Sequence, residues 1–535
     1  MDSRQTSGSG TPSGPSVSKE AAAISESASN GSSNNNEPVY VNGKLVLQEE
    51  DAFEATGYAF SSKKKWWILT VVALCQTSMN YNAAVYSNAV APLNEHYGIT
   101  NARHGMIAFL VTYAFGCELW APWSEEVGRW TVMQMSLGLV NVWQILCGAS
   151  TTWNQVLIGR VLGGFSSAGG SVTLGMVADM FDPEDQQLAV AWVSLWSCLG
   201  SVIGGICGGP IEQYLPWRWN FWIQLIFGAI VQLIHGFGVP ETRSTCMLDR
   251  VARKRRKAGQ EIYGPNEVKS FKERFAWREI VRTMWRPYHM LLTEPIVLCL
   301  SLLSGFSDAL IFSFLESYGY VFNQWNFSKT AFGLAMIPLL IGYVLAYFSF
   351  FPIIFRHNHK RRNNRSHELT PESRLWWLLW IVPLLPFGIL GFGFVSTGPP
   401  IPWIAPLLFS VLIGMANYSI YYATIDYMVA AYGEYAASAT GGNGFMRDFL
   451  AGLCAIYTKP MYQKLHSKNS SLLLFGIAFV ICAPVYIFYY FGPQIRKRSK
   501  FAEGLAEGKE KRIAAKERAS NRTKEAVLVA QPATV

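Results

Sequence analysis

This sequence is poor in charge: Asp, Glu, Lys and Arg together make 15% of its 535 residues. Soluble chains carry about a quarter charged residues, so a water-facing globular surface is excluded for most of the length. Histidine is sparse too, with 8 residues in no cluster. There is no HExxH, no phosphate-binding loop and no GxSxG in a strand-turn-helix context, which removes the commonest zinc, nucleotide and acyl-transfer chemistries. We expect no enzyme active site, no catalytic residue, no cofactor and no metal. The 9 cysteines show no paired spacing. Cys75, Cys117, Cys147, Cys198, Cys207, Cys299, Cys454 and Cys482 lie inside apolar stretches and read as small packing residues, not as a disulfide framework. The start of the chain lacks the basic and apolar regions of a signal peptide, so the first membrane span is expected to direct insertion.

What is abundant is apolar. Half of the residues are hydrophobic, and mean hydropathy is +0.17 in spite of polar ends. The apolar residues gather in runs near twenty, the length needed to cross roughly 30 Å of hydrocarbon at about 1.5 Å per helical residue. Aromatics reach 14%, including 19 Trp, as suits a protein with two membrane interfaces. Spans are expected at about 66–92, 104–122, 131–150, 153–180, 187–211 and 219–239, then at 291–322, 328–355, 374–396, 402–431, 435–463 and 470–492. The fold class is therefore an all-α membrane protein of twelve helices in two six-helix halves.

Five segments follow. Residues 1–62, rich in Ser, Gly and Asn, form an expected disordered tail. Residues 63–240 are the first six-helix half, 241–289 a basic linker, 290–495 the second half, and 496–535 a charged tail. Lys63–Lys65, Arg253–Lys257, the run RHNHKRRNNR and Arg496–Lys500 all fall on one side, while the alternate loops STTW and TGPPIP are bare. By the positive-inside rule that side and both termini are cytosolic. The net charge of +9 is then topological, and no nucleic-acid partner is expected. Sequons at Asn326 and Asn469 fall in short outer loops, which leaves their glycosylation open. Two parallel halves around one long loop match transporters whose repeats rock about a midplane site. Within the linker, residues 272–289 draw as an amphipathic helix, suited either to lying on an anionic leaflet or to joining the halves.

Polar residues inside the spans are costly and mark sites by default. Asp308 lies mid-span, and Glu316 follows by eight residues, about 80° round the helix, so both point toward one side. Arg447 and Asp448 lie deep in span eleven, where the two readings are that they serve each other as helix neighbours or that Arg447 pairs with Asp308 or Glu316 of another span. Asp426 and Glu118 lie near cytosolic span ends, where interfacial charge is the expectation. In span one, Gln76, Asn80 and Asn88 supply a polar stripe for a substrate cavity or for interhelical hydrogen bonds. A proton-coupled cycle needs a carboxylate whose charge changes as the cavity alternates; Asp308 and Glu316 are the candidates.

Between spans two and three the chain reads GCELWAPWSEEVGRWTVM, in which Glu125, Gly128 and Arg129 suit a tight charged turn. In that position it resembles the signature loop of the major facilitator superfamily, Gly-x-x-x-Asp-Arg-x-Gly-Arg-Arg, with Ala121, Glu126 and Trp130 as departures. The form APxSExxGR resembles the fungal twelve-span drug:proton antiporter family, in its polyamine and multidrug-like branch. IGRVLGGFSSAGG places Arg160 and Gly164 on that family's RxxxG motif, which implies a proton-coupling role for Arg160; tying helices together is the alternative. LGSVIGGICGGP, with Gly200, Gly204 and Gly205, is similar to the antiporter Gly-Pro-x-x-Gly-Gly motif, with Ser201 in the proline position. VPET (239–242), RPYHMLLTEPIV and YAASATGGNGFMRDF extend the likeness. The resemblance implies a monomeric, proton-driven exporter of drugs, polyamines or secondary metabolites in the plasma membrane, or failing that the vacuolar one. Nutrient uptake by proton symport, or a non-transporting sensor of the same fold, are the alternatives.

Overall fold

The computed structural model describes residues 40–182, 185–270, 274, 276–363, 369–499 and 501–502. The expected C-terminal tail lies almost entirely outside them, as does the N-terminal tail up to residue 39.

Helices account for most of the described chain, as long apolar runs demand in a medium that offers no other hydrogen-bond partners. They are α1 (Ser62–Val85), α2 (Val90–Tyr97), α3 (His104–Glu126), α4 (Arg129–Gly148), α5 (Trp153–Ser166), α6 (Gly169–Met180), α7 (Gln187–Tyr214) and α8 (Trp219–Gly238). Next come α9 (Ser244–Lys257), α10 (Trp277–Thr293), α11 (Pro295–Phe322), α12 (Lys329–Leu334), α13 (Ile337–Ser349) and α14 (Phe351–Arg362). The last are α15 (Trp376–Ile381), α16 (Leu384–Val395), α17 (Ile404–Tyr432) and α18 (Ala436–Arg496). Among the described residues 9 helical runs are long and apolar enough to cross a membrane. α1 and α4 are long enough but more polar, and α18 is two rods joined at His466, whose φ of 59° breaks the helix. The arrangement is consistent with twelve crossings.

α1 packs mainly on α7, α11 on α18, and α13 on α17. The two halves meet along α7 against α12 and α13, and along α3 against α18. Glycines make the first seam possible. A Cβ on Gly209 would lie 2.6 Å from the Lys329 carbonyl, and one on Gly333 would lie 2.8 Å from that of Ile206. All 9 cysteines are free.

The end of the bundle that carries the Lys- and Arg-rich loops, here the basic end, holds a small cap. Residues from Tyr40 on, expected as part of a disordered tail, are instead folded. β1 (Tyr40–Val41) and β2 (Lys44–Val46) form a hairpin, and β2 pairs in parallel with β3 (Ile262–Tyr263) of the linker. Asn42 and Gly43 both have positive φ, the geometry of a two-residue hairpin turn that Asn-Gly favours. Leu47 and Ala52 then bury against Leu248 and Ala252 of α9. Apolar partners two hundred residues away let this polar-looking segment fold.

Arg253 and Arg256 both pair with Glu267, at 2.7 and 2.9 Å. The Arg256 hydrogen bond, more than any other influence, holds the Glu267 carboxyl well below the ordinary glutamate value, at about 2. Its stabilisation is therefore complete above the ordinary value of 4.5 and is lost as pH falls toward the folded value. Glu267→Gln is expected to reproduce that loss at neutral pH, read as faster limited proteolysis within residues 244–270; unchanged proteolysis would refute the assignment.

Candidate functional site

Two charge systems are built from residues distant in sequence. The first is the loop between α3 and α4. Gly128 precedes α4 with φ of 110°, a conformation reserved for glycine. Arg129 is buried, its Nε 3.0 Å from Asp179 Oδ2 on α6 and its Nη1 2.6 Å from the Ser124 hydroxyl. Glu125, half-exposed, stands 3.9 Å from the same guanidinium. Gly175 leaves room for it, since a Cβ there would come within 2.6 Å of Arg129 Cζ.

Glu241 completes this system. Its carboxylate accepts from the backbone N–H of Arg129 (2.9 Å), Trp130 (3.3 Å), Thr242 (3.0 Å) and Arg243 (3.0 Å). A carboxylate at a helix N-terminus satisfies orphan donors and opposes the helix dipole. Sequence reasoning singled out the VPET run but not this role, and it missed Asp179. Glu126, the departure from the expected basic residue, lies 3.7 Å from Arg274 of the linker.

The second system lies between the halves. Arg447, 5% exposed on α18, reaches Asp448 Oδ1 at 3.1 Å through Nη2 and Asp308 Oδ2 of α11 at 3.9 Å through Nε. Its guanidinium stacks 4.3 Å from the Tyr421 ring centroid of α17, and its Nη1 lies 3.4 Å from the Ser197 hydroxyl of α7. Of the partners weighed for Arg447, Asp448 and Asp308 are present; Glu316 is not. Glu316 lies two turns further along α11, and its Oε2 is buried with no hydrogen-bond partner among the described residues.

A cavity of about 80 Å³ opens beside this cluster. α3 and α6 of the first half wall one side, and α17 and α18 of the second half wall the other. Arg447, Asp448, Glu125 and Arg129 line it, and so does Glu118. Glu118 is 3% exposed and no donor bonds it among the described residues. The expectation of an interfacial charge therefore fails for Glu118, because α18 covers it. It fails for Asp426 as well, which is 1% exposed, accepts from Gln187 at 2.8 Å across the halves, and pairs with Arg374.

The span-one stripe does not line the cavity. Asn80 donates to the Ser197 carbonyl (2.8 Å) and hydroxyl (2.9 Å), and Gln76 to Tyr113 (3.2 Å) and Ser197 (3.4 Å). These are interhelical bonds, yet through Ser197 they reach Arg447. Asn88 sits at the opposite end, 3.5 Å from Glu212, which pairs with Lys329 at 2.8 Å across the halves. Ser197 went unread because a lone serine in a glycine-rich helix carries no signal.

Arg160 is fully buried and has no carboxylate partner among the described residues. It donates to the Asn82 side chain (2.7 Å), the Asn82 carbonyl (3.2 Å) and the Gly105 carbonyl (3.3 Å), between the Tyr86 and Phe109 rings. That geometry ties α5 to α1 and α3. Gly164 abuts the backbone of Phe109 and Tyr113. Gly200 and Gly204 face Thr77 and Ala84 of α1, whereas Gly205 faces Leu315 and Met336 of the other half. No group of three metal-binding side chains occurs among the described residues.

Residues 69–455 match the family model described as the Major Facilitator Superfamily. The chain is 30% identical to the transporter paaT of Penicillium rubens, over 85% of this chain and 83% of that protein. It is 28% identical to the ascochitine biosynthesis cluster MFS transporter of Didymella fabae, over 83% and 86%. In structure it is similar to the human organic anion transporter MFSD10, with a TM-score of 0.54, 16% identity, and coverage of 79% of this chain and 99% of the other.

Proposed function

The chain belongs to the major facilitator superfamily, and from that premise we propose that it is a proton-coupled exporter of small organic compounds working by alternating access. It is a multi-pass membrane transporter. In this reading the basic end is cytosolic, the membrane is the plasma membrane, and the chain works as a monomer. One observation carries the coupling: a single guanidinium, Arg447, held between Asp308 and Asp448 at the wall of a cavity lined by both halves. A buried cation shared by two carboxylates leaves a surplus negative charge, which a proton on one of them removes. Asp308, at the longer 3.9 Å, is the looser partner and the proton carrier in this proposal. Glu316, unpaired on the same helix, is the second carrier. Release of Arg447 from Asp308 on protonation lets the halves rock about the Gly205–Gly209–Gly333 seam, with Glu212–Lys329 closing one end and Asp426–Gln187 the other. Arg160 takes a supporting place, as the tie that fixes α5 against α1 and α3.

The relative named for an ascochitine biosynthesis cluster supports a secondary metabolite as cargo. Cells making the protein are expected to retain less of a labelled candidate compound than cells without it, with the difference erased by an uncoupler. Asp308→Asn should bring retention to the level of cells lacking the protein. Accumulation that rises with expression and collapses with the uncoupler would replace export with uptake. Full activity of the Asp308→Asn, Glu316→Gln double variant would remove the proton assignment.

A further inference from the structure

The proposed transport cycle makes no use of α10 or of the face it turns away from the bundle. α10 joins the membrane helix α11 through Glu294 alone and packs on α3 of the first half and on α18 of the second. At about 100° per residue its side chains fall into sectors. Measured from Trp277, the side chains of Met290, Pro287, Ile280 and Leu291 span roughly 220–320° and are buried. Trp277, Val281, Leu292 and Trp285 follow at about 0–80° and are exposed, Trp277 by 72% and Leu292 by 71%. Arg278, His289, Arg282 and Arg286 come next, at about 100–180°, with Glu279 beyond them at about 200°. One helix thus orders four surroundings: bundle, lipid, headgroup and water.

A helix of this pattern lies in the plane of the interface, with its apolar side at the acyl boundary. Two of its basic side chains already have partners in the fold. His289 lies 5.9 Å from the Phe501 ring, and the Arg286 guanidinium 5.5 Å from that of Tyr435. Arg278 and Arg282 are exposed, and neither has a hydrogen bond, ion pair or ring contact among the described residues. They stand one turn apart, where like charges repel each other. Solvation explains exposed arginines, but not the row of exposed apolar side chains beside them. Contact with acyl chains explains that row, but gives no reason for two unpaired guanidiniums along its edge. A lipid phosphate answers both.

We propose that α10 is a binding site for an anionic phospholipid, with the headgroup phosphate on Arg278 and Arg282 and the acyl chains along Trp277, Val281 and Trp285. Guanidinium and phosphate form charge-assisted, bidentate hydrogen bonds, and the bound anion removes the repulsion between the two arginines. The tryptophans hold the helix at headgroup depth. From the export reading this site takes only the assignment of the basic end to the cytosolic leaflet, where anionic lipids gather. It needs neither substrate nor proton gradient.

The test uses the full chain in phosphatidylcholine nanodiscs that also carry a photoreactive lipid, phosphatidylserine in one series and phosphatidylcholine in the other, with mapping of the labelled peptides. In the wild-type protein, phosphatidylserine is expected to label the peptides of α10 well above phosphatidylcholine. The Arg278→Gln, Arg282→Gln double variant should lower phosphatidylserine labelling there by about tenfold or more, the combined scale of two arginines at an anionic surface. Its phosphatidylcholine labelling should stay unchanged, which shows that the helix still lies in lipid. Arg278→Lys with Arg282→Lys should retain most of the phosphatidylserine labelling. Lys497→Gln with Arg498→Gln, which removes the same charge from exposed positions at the basic end, should leave it in place. Inorganic phosphate, matched in ionic strength by chloride, should not compete. Equal labelling by the two lipids, no loss in the glutamine variant, or the same loss in the Lys497 and Arg498 control would each overturn the proposal. Competition by inorganic phosphate would assign the arginines to a soluble anion and overturn it as well.

Discussion

Arg447→Gln is expected to abolish transport and to lower stability by about 3–5 kcal/mol, the cost of breaking a buried ion pair from one side. The variant leaves Asp308 and Asp448 facing each other, with Glu118 close by on the cavity wall and no cation among them. It also removes the cation stacked on Tyr421 and the donor that reaches Ser197 from the opposite half. Arg447→Lys is expected to recover stability in part and transport hardly at all. A point charge on a flexible stem cannot hold two carboxylates, a hydroxyl and a ring at once. Thermal unfolding of the purified protein, read beside efflux, checks both statements. If Arg447→Gln unfolds and transports as the wild type does, the cluster is not the coupling element.

The next largest effect is expected at Glu241, which does not line the cavity but bonds the backbone of Arg129, which does. Glu241→Ala withdraws the acceptor from four backbone N–H groups at once, leaving the buried N-terminus of α4 without a cap. Loss of a cap costs up to about 2 kcal/mol, and unpaired buried donors add about 1–3 kcal/mol. The unfolding midpoint should fall markedly, and efflux should fall with it because Arg129 and Gly128 lose their fixed geometry. Glu241→Gln retains Oε1, which accepts three of the four bonds, and is expected to be much milder. An alanine variant as stable as the glutamine variant would show that the capping bonds carry no weight.

How far the site could be read in advance depended on how local its signals are. Arg447, Asp448 and Asp308 were legible because a charge in an apolar run stands out against twenty neighbours. Depth alone left Asp308, Glu316 and Asp448 open as partners of Arg447; the helix packing brings it to Asp308 and Asp448. Glu118 and Asp426 were misjudged from depth. Their distance along the span placed them near an interface, whereas α18 and α7 from the other half cover them. Glu241 and Asp179 sit 112 and 50 residues from Arg129, too far for any spacing rule. The hairpin from Tyr40 was legible in Asn42-Gly43, a strong turn signal overshadowed by the polar composition around it.

By itself the sequence determined the long apolar helical runs and the identity of the costly charges set among them, because each follows from the thickness of hydrocarbon and the cost of charge within it. Only the tertiary structure decided which charges meet. That depends on the angular register of each helix and on which helices are neighbours across the halves. A helix repeats its faces every 3.6 residues, but its partner can lie hundreds of residues away.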